Sequence, residues 1–260
     1  MCLLIVLAQV RDDLPLVVGA NRDERLDRPA VPMTVLRASA PRVLGGRDEL
    51  AGGTWLAVND RGVVAGLTNR PSSAGPDPAR RSRGELPLAL ASHDSAEAGV
   101  EAFMSSCRPS EYNPAWMLVA DRRSVFAIDI SDDDRPLVEQ LPAGIHILEN
   151  RALHVSSPKA AHVRALLGDV ERLDDHALVQ RLETILADHE VPEGLSAAAE
   201  AGRADVPLEV GAACVHTEEY GTRWSAVVNV PATASHMPTF RYAPGSPCCV
   251  PFRDAGDLFR

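Results

Sequence analysis

The sequence predicts an α+β fold in which antiparallel sheets are covered by helices. Three observations predict it: apolar strand-like segments come in pairs across short polar turns, helical segments follow those pairs, and strand pairs then return. The 260 residues suffice for one large core, and a chain that is 45% hydrophobic and 24% charged has globular composition. There is no internal repeat and no sharp shift of composition, so residues 1–260 read as a single domain.

The first pair is LLIVLAQ and LPLVVGAN, joined by the polar turn VRDD; the first of these is apolar without alternation, as in a strand buried on both faces. TWLAVN and VVAGLTN form a second hairpin around DRG, where Gly62 supplies the positive φ that a tight turn demands. Pro, Ser and Gly make residues 70–83 a surface loop. GELPLALASH is a weak helix because of Pro87, whereas SAEAGVEAFMSSC carries Ser95 as N-cap ahead of Ala98, Val100, Ala102 and Phe103. AWMLVAD and SVFAIDI are again paired strands, and GIHILEN is a third. Ser157 before Pro158 opens a helix as cap and first residue, and the next helix lines up Leu178, Leu182, Ile185 and Leu186 on one face. EVPEGLSAAAEAGRADVP is a loose excursion, after which WSAVVNV and TFRYA return to strand.

Composition excludes several functions. A net charge of −10, from 36 acidic against 26 basic residues, repels phosphate backbones and anionic lipid, so no nucleic-acid partner is expected. No apolar run approaches the roughly 20 residues that cross a bilayer, and the start of the chain lacks the layout of a signal peptide. No membrane insertion and a cytoplasmic location are the expectation. The cysteines at 2, 107, 214, 248 and 249 show no CxxC spacing, so neither disulfides nor a metal site is expected.

Cys2 stands apart by position. Removal of Met1 leaves a thiol and a free α-amine on one residue, a nucleophile beside a base, with ordinary pKa values near roughly 8.5 and 8. That is the self-contained arrangement of an N-terminal nucleophile. Antiparallel pairing of the first two strands returns Asn21, Arg22, Asp23 and Glu24 beside the chain start. A nearby cation favours a thiolate and a carboxylate orients an ammonium, and Arg22 and Asp23 are of the types to do both. The same cluster could equally close the end of a sheet through surface ion pairs worth about 0–1 kcal/mol each.

The initial MC, ANRDE, GGTWLAVNDRGVVAGLTNRP, SRGEL, ILEN and YGTRWSAVV, in that order, resemble the NRDE-motif family, also called the transport-and-Golgi-organisation protein 2 family. That family is similar to N-terminal nucleophile hydrolases, among them conjugated bile salt hydrolases and penicillin acylases. The resemblance implies a four-layer αββα sandwich. It implies Cys2 as nucleophile, Asp23 as the carboxylate holding the α-amine, Asn69 and Asn150 as oxyanion donors, and Arg223 as a further active-site arginine. In those hydrolases an arginine just before the Asn-x-x-Asp element assists the thiol; here Ala20 stands there and Arg22 lies inside the motif, so thiol activation is left open.

The candidate substrate contacts are Asn21, Trp55 and Arg83. GGTW reads as a strand entry or a substrate edge, and Arg83 either caps a helix or meets an anionic ligand. Two functions follow: an N-terminal cysteine amidohydrolase or acyl hydrolase acting on a small amide or acyl metabolite without a cofactor, or a non-catalytic protein that binds and traffics haem or a lipid metabolite. The haem alternative rests on the resemblance alone, since no His pair or Cys-Pro dipeptide marks an axial ligand.

Overall fold

Strand β1 (Cys2–Ala8) is buried on both faces, and this double burial organises the molecule. Leu3, Ile5 and Leu7 pack against helices, while Leu4, Val6 and Ala8 meet a second sheet, as period-two alternation requires. The computed structural model describes residues 2–72, 75–131, 135–193 and 207–260. Most of the expected 190–207 excursion lies outside the described residues.

β1 pairs on one side with β2 (Leu16–Arg25), which in turn pairs with β11 (Tyr220–Val230). With β10 (Gly144–Leu148), β12 (Thr239–Ala243) and β13 (Arg253–Asp254) they form an antiparallel sheet of order β10-β1-β2-β11-β12-β13. The other sheet runs in sequence order: β3 (Ala30–Arg37), β4 (Val43–Asp48), β5 (Leu56–Asn59), β6 (Val64–Asn69), β7 (Ala115–Ala120), β8 (Val125–Ile130) and β9 (Leu137–Leu141). The sheets face each other through Leu4, Val18, Leu56, Leu118 and Trp224.

Helices α1 (Glu85–Ala91) and α2 (Ala96–Ser106) cover the second sheet, burying Leu86, Leu90, Val100 and Phe103. Pro87 is tolerated because it sits in the first turn, where N–H groups lack helical acceptors in any case. Ser95 caps α2 by accepting from Ala98 N at 3.1 Å. Helices α3 (Pro158–Leu167) and α4 (Asp175–Leu186) cover the first sheet through Val163, Leu167 and the leucine–isoleucine face of α4. Ser157 and Asp174 cap them. The layers therefore run helix, sheet, sheet, helix, as expected. Gly62 holds φ +90° in the β5–β6 turn.

β3, β4 and β9 were not anticipated. β3 is half-buried throughout and contains Pro32, β4 carries Gly45 and Gly46, and β9 is an edge strand with exposed Leu137, Glu139 and Gln140. Proline, glycine and missing alternation each hide a strand from pattern reading.

Candidate active site

The β1–β2 register sets Cys2 directly opposite Arg22, at the end of the sheet where NRDE extends β2. Cys2 and Arg22 line a cleft of about 600 Å³ together with Asp23, Trp55, Asn69 and Arg83. A broader depression of about 1260 Å³ crosses the outer face of α4; its described lining contains no cysteine.

The backbone nitrogen of Cys2 donates to Asn150 Oδ1 at 2.8 Å, and Asn150 Nδ2 donates to the carbonyl of Asn69 at 2.5 Å. The Cys2 nitrogen is a donor whether it is an amide or an ammonium, so the carboxamide turns its oxygen to it, and one of the two N–H groups of the Asn150 NH₂ goes to Asn69 O. Asn69 itself ends β6 with its side chain exposed at the cleft.

Asp23 is buried and accepts from Thr222 Oγ1 at 2.6 Å, while its carbonyl accepts from the Tyr220 hydroxyl at 2.7 Å. Burial raises its pKa above the usual carboxylate range, opposed by the positive charge of Lys159, the one lysine in the chain, itself buried. Burial likewise pushes the Cys2 thiol up; the charge of Asp23 adds to this and that of Arg22 pulls it down.

Arg22 is the side-chain cation whose charge reaches the thiol. Ala20 faces the inter-sheet core, opposite Leu4. The Arg22 guanidinium lies 4.4 Å from the centroid of the Trp55 ring and bonds Asp48 at 3.1 Å. Asp48 is also gripped by Arg28, at 2.6 Å and 3.2 Å. Asp48 and Arg28 were missed in the sequence because no local spacing ties GGRDEL or LDRP to the motif as its partners.

Arg83 is half-buried, and Nη1 donates to Pro114 O at 3.0 Å. It meets no carboxylate at ion-pair distance among the described residues. It is brought here by a backbone contact: a Cβ on Gly53 would lie 2.4 Å from the carbonyl carbon of Gly84, and one on Gly84 would lie 2.8 Å from Gly53 Cα. Thr54 N bonds Gly84 O across this junction at 2.9 Å. GGTW and SRGEL therefore share a structural reason, two bare backbones pressed together, which also seats Trp55 and Arg83 in one wall.

Two expected residues point elsewhere. Asn21 is in phase with Val17 and Gly19, so it faces the helices: Nδ2 donates to Leu186 O and Ala213 O, both at 2.8 Å, and Oδ1 accepts from Ser225. It is not among the residues lining the cleft, so a substrate contact is replaced by a tether of the layer above. Arg223 falls where the β2–β11 register breaks between Thr222 and Trp224. A bulge re-aims a side chain, and Nη1 of Arg223 donates to the carbonyls of Arg25, Leu26 and Arg28. It holds the turn after NRDE and does not line the cleft.

Two antiparallel sheets between helix layers form the four-layer sandwich that N-terminal nucleophile hydrolases share, and Cys2 lies in the cleft at one sheet end. In solved structures this chain is similar to an N-acylethanolamine-hydrolyzing acid amidase ortholog of Caenorhabditis elegans, with a TM-score of 0.54 and 12% identity, covering 89% of this chain and 94% of that one. It is also similar to a cysteine-to-alanine variant of the conjugated bile acid hydrolase of Clostridium perfringens, with a TM-score of 0.51 and 10% identity, covering 98% and 96%. At such identities the likeness speaks for the fold.

The family is shown by sequence. The Transport and Golgi organisation 2 model matches residues 1–239, and the chain belongs to that family. Curated relatives are the Transport and Golgi organization protein 2 homolog of Bos taurus, 32% identical over 233 residues, and its Mus musculus counterpart, 28% identical over 234. Each alignment covers 84% of this chain and 82% of the relative. Among the described residues no helix is long and apolar enough to cross a membrane.

Proposed function

We propose that the chain is an N-terminal cysteine amidohydrolase or acyl hydrolase acting on a small amide or acyl metabolite, with residues 1–260 working as one domain. The observation that carries this reading is the nitrogen of Cys2 held 2.8 Å from Asn150 Oδ1, at a cleft that the same residue lines beside a buried arginine.

Removal of Met1 turns that nitrogen into a free amine that keeps Asn150 as acceptor. The amine takes the thiol proton as sulfur attacks the carbonyl carbon, and Arg22 favours the thiolate. The carbonyl electron pair moves onto oxygen, where Asn69 donates from the cleft edge. As the tetrahedral carbon collapses, the ammonium returns its proton to the leaving nitrogen and the C–N bond breaks. Water, deprotonated by the same amine, then releases the acid and restores the thiol. Asp23, held by Thr222, is the carboxylate that orients the amine. A cytoplasmic location, where thiols stay reduced, suits such a nucleophile.

Arg83 argues for an anionic group on the substrate, because a half-buried guanidinium with no carboxylate partner among the described residues gains most from one in the ligand. Carriage of haem or a lipid metabolite is the competing reading, and Cys2 is the one sulfur ligand among the described lining residues. A panel of N-acyl amides and lactams offered to the wild type, Cys2→Ala and Asp23→Asn separates the two. Turnover by the wild type and by neither variant supports hydrolysis. Binding of haem or lipid that survives Cys2→Ala, with no turnover of any panel member, overturns it.

A further inference from the structure

We infer that His189, Cys214, His216 and Cys248 form a structural Cys₂His₂ zinc site on the face of the first sheet that carries α4, away from the cleft. One donor atom from each of the four lies within 4.8 Å of all the others. Tetrahedral zinc, with bonds of about 2.3 Å to sulfur and 2.0–2.1 Å to nitrogen, spaces its donors by about 3.3–3.8 Å, so closure needs only small side-chain shifts. The Cys248 sulfur already lies 3.2 Å from His216 Nε2. The rings of His189 and His216 meet edge to face with centroids 4.8 Å apart.

The chain around the cluster fits a metal. His189 Nδ1 lies 2.9 Å from the Cys214 carbonyl oxygen. With the proton on Nδ1, that bond fixes the tautomer and leaves the Nε2 lone pair free, the arrangement that orients metal-bound imidazoles. Two of five cysteines and two of eight histidines converge here from three separate segments: the end of α4, the approach to β11, and the link between β12 and β13. Cys214 is buried, whereas the Cys248 thiol is exposed and, without a metal, open to oxidation. Two thiolates with two imidazoles select zinc over the oxygen-seeking divalent ions, and four protein ligands leave no open position for chemistry. On binding, the two thiols release their protons to solvent and each sulfur bonds the metal. No spacing in the sequence announces this, because only Cys214 and His216 are near neighbours.

The site reaches the cleft through the backbone. Val215, between two ligands, donates from N to Thr222 Oγ1 at 2.8 Å and accepts from Thr222 N at 2.8 Å. Thr222 Oγ1 donates in turn to Asp23. The metal therefore clamps the segment that brackets the carboxylate, while the Ala213 carbonyl beside it holds Asn21.

The test uses the full chain, stripped with a chelator and reloaded with Zn²⁺ or Co²⁺, with metal content read by elemental mass spectrometry and cobalt geometry by absorption. About one zinc per chain is expected in the wild type and in Cys2→Ala, with intense visible bands and a sulfur-to-cobalt charge-transfer band in the cobalt form. Because Cys249 sulfur lies 3.4 Å from that of Cys248 and could substitute for it, the variants are the doubles Cys248→Ser/Cys249→Ser and His189→Ala/His216→Ala. Each should lower zinc content by at least about tenfold. Full zinc retention in either double, a pale octahedral cobalt spectrum, preferential uptake of copper(I), or no stoichiometric metal after reloading would each overturn the assignment. The cobalt spectrum of the unaltered chain decides even where a variant fails to fold, and none of these outcomes bears on hydrolysis at Cys2.

Discussion

Asn150 joins the two halves of the candidate site: its Oδ1 accepts from the Cys2 nitrogen at 2.8 Å and its Nδ2 donates to Asn69 O at 2.5 Å. One carboxamide thus ties the start of β1 to the end of β6, across the two sheets. Asn150→Ala removes the acceptor that aims the amine, and the expected outcome is a fall in kcat of about 10²-fold, within the range for a positioned acid–base group, with KM little changed. Steady-state kinetics on any substrate found by the amide panel checks it. A loss confined to KM would assign Asn150 to substrate binding.

Asp48 sets a pH limit. Burial alone would raise its pKa, but bonds from Arg28, the Ala51 N–H and the charge of Arg22 bring it below the usual value. Because the folded value is depressed, its stabilisation is present above the unfolded value, near roughly 3.9, and is lost as the pH falls through the folded value. Asp48→Asn should therefore cost about 1.5–3 kcal/mol at neutral pH, the range for a hydrogen bond to a charged group. The difference from wild type should shrink towards zero in denaturation curves taken at progressively lower pH.

Gly53 and Gly84 form a junction with no room for a methyl group. Gly53→Ala should destabilise the chain by about 1–3 kcal/mol, the usual cost of overpacking, and it should raise KM by displacing Arg83. Denaturant melts and kinetics on the same preparation read both effects. An unchanged midpoint would mean that the two backbones separate without cost.

Arg83 predicts substrate charge. Arg83→Ala should raise KM for a carboxylate-bearing amide by about 10–100-fold, equivalent to one charged hydrogen bond. A neutral amide of the same size should be nearly unaffected. Equal losses on both would make the Arg83 contact to Pro114 O, and not ligand charge, the reason for its position.

How much of this was legible beforehand varies by residue. The Cys2–Arg22 apposition was readable, because two apolar strands across one short turn leave little freedom of register. So was the opposite facing of Asn21, had the alternation of β2 been carried through the motif: Asn21 is two residues from Gly19 and four from Val17. Arg223 was not readable, since a break in register moves a side chain without any mark in the sequence. Asp48 and the His189–Cys214–His216–Cys248 cluster depend on contacts between distant segments, which local spacing does not encode. β3 and β9 were hidden because strands without an alternating face lack the period that reveals them.

The most direct test of the central claim is the mass spectrum of the N-terminal peptide from the purified chain, before and after exposure to an acylating electrophile. The account predicts a peptide that begins at Cys2, gains one acyl group on sulfur, and loses that gain when Arg22 is replaced by Ala or when the chain is unfolded first. A peptide that keeps Met1, with a Cys2 thiol no more reactive than that of Cys249, would contradict it.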